Sequence, residues 1–118
     1  MASLLISVRH APYGTSLARA GVDTALAAAA FEQPVTLLFQ GAGVLNLLPA
    51  QDAAAIGAKD MARLLASLPL YDIETLYVDA AAAERYGIAD TELPAGSELL
   101  DSEGMRQLLL DADHLLGF

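Results

Sequence analysis

The side chains with the widest chemical repertoire in this chain fall within one short stretch. His10, Tyr13, Thr15 and Ser16 follow an apolar run, with Pro12 and Gly14 between them. A histidine, a phenol and two hydroxyls in one loop are the materials of acid–base or nucleophilic chemistry, and free N–H groups at the start of a following helix hold anions. Neither chemistry has its usual company here. Gly14 stands alone instead of in a GxGxxG or GxxxxGK[ST] pattern, and there is no G-x-S-x-G elbow, so the same residues also read as a turn and a helix cap. The two histidines, His10 and His114, lie near opposite ends of the sequence without thiolates or a close carboxylate motif, and are expected to be structural or solvated. The carboxylate pairs Asp72 and Glu74, and Asp111 and Asp113, are expected to flank strands and helices, because paired catalytic acids need a pocket with opposed environments.

Absence of cysteine from all 118 residues excludes a thiol nucleophile, a thiolate metal site and any disulfide within the chain. No catalytic, cofactor-binding or metal-ligating residue is therefore assigned, and no cofactor is expected. Six Lys and Arg against fifteen Asp and Glu give a net charge of −9, which opposes a direct grip on nucleic acid. The first residues form a short apolar run without a basic start, and no segment is long enough to span a bilayer. A cytoplasmic protein without membrane contact is expected.

The composition points to assembly more than to catalysis. With 55% hydrophobic and 18% charged residues, a chain of this length carries more apolar surface than one small domain hides, and another protein is needed to cover the remainder. The stretches Val44–Leu48 and Leu68–Tyr71 are suited to that role, as apolar loops with a tyrosine are typical of interface cores, although ordinary core packing explains them equally well. Tyr13, Leu45, Leu48, Leu70 and Tyr71 are the candidate interface residues.

The elements that position these residues alternate. Leu4–Val8, Val35–Phe39, Thr75–Val78, Glu98–Leu100 and His114–Leu116 are short apolar runs, bounded by proline, glycine or polar residues, and read as strands. Between them, helical spacing is found from Leu17 to Phe31, over Asp60–Leu68 with Pro69 as its end, from Ala80 to Tyr86 ahead of Gly87, and beyond Ser102. The first helix has Gly21 and many alanines on one face, which lets it approach a sheet closely. One domain over residues 1–118 is expected, a three-layer α/β/α fold with a mainly parallel sheet of about five strands.

Five segments carry a resemblance: Ala11-Pro12-Tyr13-Gly14-Thr15, Gly41-Ala42-Gly43-Val44, Leu47-Leu48-Pro49-Ala50-Gln51, Leu68-Pro69-Leu70-Tyr71-Asp72 and a short final strand before Phe118. In order and spacing they resemble the DsrE/DsrF-like family over nearly the whole length, most closely at Leu70-Tyr71-Asp72-Ile73-Glu74. Tyr13 and Pro69 depart from the family pattern, which has histidine and glycine there. The resemblance implies a five-stranded parallel sheet and a place beside TusB-like and TusD-like subunits in a heterohexamer, a dimer of heterotrimers. That complex relays sulfur as persulfide through a TusE-like acceptor towards 2-thiouridine at the tRNA wobble position. A chain without cysteine would be a non-catalytic structural subunit in such a relay. The competing expectation is a small anion- or nucleotide-binding α/β domain that uses the His10–Ser16 loop, and a structural homo-oligomer is a third.

Overall fold

The computed structural model describes residues 3–11, 17–47, 63–89, 91 and 93–118. Five strands, β1 (Leu4–Val8), β2 (Val35–Phe39), β3 (Leu76–Asp79), β4 (Ser97–Leu100) and β5 (His114–Gly117), form one sheet in the order β4-β3-β2-β1-β5, and every neighbouring pair is parallel. Three helices are described from end to end: α1 (Leu17–Ala30), α2 (Ala80–Arg85) and α3 (Ser102–Asp111).

From β1 to β4 each crossover steps the same way across the sheet, and right-handed connections put the intervening helices on one face. The return from β4 to β5 steps the other way, which sends α3 to the opposite face. The register confirms the division: Ile6, Leu37 and Leu76 lie side by side, as do Val8, Phe39 and Val78. These side chains pack with Ala18, Val22 and Ala25 of α1 and Ala82 and Ala83 of α2 in one buried cluster. On the other face Leu5 and Leu38 are buried, yet α3 buries none of its own residues fully.

Two stretches differ from their sequence expectation. The α-helix stops just ahead of Pro69, as expected, but the chain does not leave helical form there. Residues 63–67 are helical, and the chain then tightens into a 3₁₀ turn, Leu68–Tyr71, whose first positions include Pro69. Proline is tolerated there because an N–H at the start of a helical turn has no carbonyl to bind. Residues 60–62 of that expected helix lie outside the described ones. The apolar stretch after β2 is a second 3₁₀ segment, Gly41–Leu47, with Val44 and Leu47 buried in the core. Aspartates also begin two helices: Asp79 accepts from Ala82 N at 3.1 Å, and Asp101 accepts from Gly104 N at 2.7 Å.

Three elements end in the same Schellman geometry. At the end of α1, Glu32 N donates to Ala29 O at 2.9 Å and Gln33 N to Ala28 O at 3.1 Å. After the Leu68–Tyr71 turn, Asp72 N donates to Pro69 O and Ile73 N to Leu68 O, both at 3.1 Å, and after α2 Gly87 and Ile88 repeat the pattern. The residue that must turn left-handed is glycine only once: φ is 69° at Gly87, but 62° at Glu32 and 65° at Asp72.

A polar clamp closes the amino end of the β1–β5 pair. Asp113 Oδ2 accepts from Ser3 N at 2.7 Å and from Ser3 Oγ at 3.2 Å, and His114 N donates to Ser3 O at 3.0 Å. The backbone bond from Ser3, then its hydroxyl, holds the Asp113 carboxyl below its ordinary 3.8, with a smaller contribution from His114. A lowered folded-state pKa contributes stability above the ordinary value, and that contribution is lost as pH falls through the folded value. The Tm gap between wild type and Asp113→Asn is therefore expected to be open at pH 6 and to close below about 3.8; a gap that stays constant down to pH 2 contradicts the clamp. Glu32→Gly is expected to raise stability by roughly 1 kcal/mol, since glycine has no left-handed penalty, and chemical denaturation measures it.

Candidate functional site

Open parallel sheets bind ligands beyond the carboxyl ends of their strands, and at that end short backbone contacts tie β1, β2 and β5 together. Gln40 N donates to Val8 O at 3.0 Å, Arg9 N to Phe118 O at 3.0 Å and Phe118 N to Ser7 O at 2.8 Å. Gly43 lies so close to β1 that a Cβ on it would come within 1.9 Å of Val8 O. Asn46 is buried and bridges two loops, its Nδ2 donating to His10 O and to Gly43 O, both at 2.8 Å. Its Oδ1 is buried without a partner. Asp79 joins β2 to β3: besides capping α2, its Oδ2 accepts from Gly41 N at 3.3 Å. Beneath α3, the Ser7 hydroxyl donates to Gln40 Oε1, and Gln40 Nε2 reaches Met105 Sδ at 3.9 Å.

The Asn46 amide nitrogen and the Asp79 carboxylate are spent on holding backbone, whereas Ser7, Gln40 and Met105 bond to one another. His10 itself is exposed. His114 opens β5 in register with Leu4, whereas His10 follows the far end of β1, so the length of that strand lies between them. The described residues contain no group of three or more His, Cys, Asp or Glu able to hold a metal. Asp111 accepts from Gln107 Nε2 at 2.9 Å at the end of α3, and Asp72 and Glu74 are exposed around the approach to β3. No described helix is long and apolar enough to cross a membrane.

The candidate interface residues are divided by the fold. Tyr13 and Leu48, with the rest of the Pro12–Ser16 stretch, lie outside the described residues. Leu45 is half-buried on the Gly41–Leu47 segment and packs against the core. Leu70 and Tyr71 sit on the turn that feeds the amino end of β3, 84% and 42% exposed. Leu45 is thus not brought together with Leu70 and Tyr71. The structural roles of Gly43, Asn46 and Asp79 are not anticipated by the sequence patterns above. Asp79 was visible in principle, as an aspartate directly before an alanine run is a cap signal; Gly43 and Asn46 act through contacts distant in sequence and leave no local signature.

The geometry and the sequence place the chain in a known class: it belongs to the DsrE/DsrF-like family, whose profile matches residues 2–118. Within that family it is similar to the TusC homologue of Pseudomonas aeruginosa, 37% identical over 114 residues that cover 97% of this chain and 96% of the relative. It is also similar to the TusC homologue of Vibrio parahaemolyticus, 36% identical over the whole of both chains, and to TusC of an Escherichia coli O127:H6 strain, 34% identical over 92% of each. The crystal structure of the YchN protein from E. coli has the same fold, with a TM-score of 0.82 over the whole of both chains at 21% identity.

Gly43→Ala is expected to destabilise the fold by roughly 3 kcal/mol, because the added methyl can be admitted only by moving β1 or the Gly41–Leu47 segment. Urea denaturation tests this; a loss below about 0.5 kcal/mol, the range of ordinary surface changes, contradicts the close approach.

Proposed function

We propose that this chain is a non-catalytic subunit of a cytoplasmic sulfur-transfer complex of the TusBCD type. In this reading it folds as one domain over residues 1–118 and stands beside TusB-like and TusD-like chains in a dimer of heterotrimers. The complex passes persulfide sulfur to a TusE-like acceptor on the way to 2-thiouridine at the tRNA wobble position. The end-to-end similarity to TusC proteins carries the reading. Chemistry supports the supporting role: a persulfide requires a thiolate sulfur, and this chain has none. A charge of −9 opposes a direct grip on tRNA.

The distribution of apolar surface is in keeping with assembly. Leu110, Leu115 and Leu116 are exposed on α3 and the edge strand β5, and Phe31, Leu70 and Tyr71 at the amino end of the sheet. Covering a large apolar side chain is worth about 1.5–3 kcal/mol, against about 0–1 kcal/mol for an exposed ion pair. In this reading Tyr13, Leu45, Leu48, Leu70 and Tyr71 contact neighbouring subunits.

Expressed alone, the chain is expected to aggregate or self-associate. Co-expressed with the TusB-like and TusD-like chains of its own genome, it is expected to elute as one soluble complex with two copies of each chain by native mass spectrometry. Elution as a stable dilute monomer, unchanged when those chains are present, would contradict the proposal.

A further inference from the structure

A groove of about 340 Å³ lies at the amino end of the sheet, between the end of α1 and the Leu68–Tyr71 turn. Its apolar lining includes Ala29, Val35 and Ile73, its carboxylates are Glu32 and Asp72, and none of its described lining residues is basic. The described ion pairs, Arg19 with Asp23 and Arg106 with Glu103, leave both carboxylates out. Close by in sequence are Phe31 and Leu70, 87% and 84% exposed, the two most exposed large apolar side chains among the described residues. Glu32 and Asp72 are also the two described residues other than glycine with positive φ. Each stands where a Schellman turn favours glycine, so the fold carries a backbone cost at both positions that presents a carboxylate to this one groove.

We propose that this groove docks a basic segment of a partner protein. An aliphatic or aromatic side chain of that segment rests against Ala29, Val35 and Ile73, and flanking Arg or Lys residues face Glu32 and Asp72. Charge complementarity selects this occupant. A second copy related by a two-fold axis through the groove would set Glu32 and Asp72 against identical carboxylates, and any second copy brings another −9. Nucleic acid and anionic lipid are repelled by the same charge. Leu70 and Tyr71 are shared with the interface proposed above, but the groove's occupant is defined by its chemistry, whichever proteins form the complex.

The test is photo-cross-linking in the native host from the full chain with Leu70 replaced by benzoylphenylalanine, the adduct being mapped by peptide mass spectrometry. The expected adduct is a partner peptide with Arg or Lys within a few residues of the cross-link. Adding Glu32→Gly and Asp72→Gly is expected to cut its yield several-fold while raising the Tm of the purified chain. The isosteric pair Glu32→Gln and Asp72→Asn is expected to cut the yield similarly with the backbone unchanged. An adduct with a second copy, an adduct with a peptide free of basic residues, no adduct, or a yield indifferent to either pair would overturn the proposal. A basic partner outside the sulfur relay would keep the groove and remove the relay assignment. Co-purification with the relay chains without an adduct would do the reverse.

Discussion

The close approach of α1 to the centre of the parallel sheet is the contact on which the remainder of the molecule depends. Ala18, Val22 and Ala25 lie against the cluster that contains Ile6, Val8, Leu37 and Phe39. At Gly21 a Cβ would meet the Phe118 side chain at 3.0 Å, so the last residue of the chain is drawn under the same helix. Small residues let the helix axis come near the strands, and the dispersion gained over a densely packed face outweighs what larger but fewer side chains would give at a greater distance. This contact fixes β1 and β2. They in turn carry the Gly41–Leu47 segment through Gly43, and the end of β5 through Arg9 and Phe118.

That packing is one-sided, and its consequence is the exposed apolar surface. α1, the two 3₁₀ segments, helical residues 63–67 and α2 all contribute to the cluster on one face, whereas among the described residues α3 is the helix on the other face and buries none of its own residues fully. Leucines at the edge strand β5 and on α3, and Phe31 and Leu70 at the amino end of the sheet, remain in contact with water. The exposed ion pairs on α1 and α3 contribute little by comparison. The charge that does matter is collective: an excess of carboxylates keeps copies apart and favours partners of opposite sign.

The strands were legible because buried parallel strands are written as unbroken apolar runs, and Leu4–Val8 and Val35–Phe39 begin and end where polar or turn-forming residues require. Helix ends were harder to read. Gly87 announces its turn, but Glu32 and Asp72 adopt the same left-handed conformation without the residue that normally marks it. Pro69 read as a stop because its role as an early residue of a second, tighter turn depends on Leu68 being held in the core. The exposed pair Leu70 and Tyr71 was visible as an apolar loop, while the groove beside it needs α1 and the 3₁₀ turn to meet, a long-range fact that no local pattern contains.

In the proposed assembly, other chains cover the apolar surface left exposed among the described residues. Hydrogen–deuterium exchange, comparing the chain within its purified complex with the same chain freshly dissociated at low concentration, measures that coverage directly. Slower exchange on assembly is expected across residues 30–34, 68–76 and 108–117, with little change in the already buried strands β1 and β2. Equal exchange in those three segments in both states would show that the surface stays open to water and that no other chain covers it.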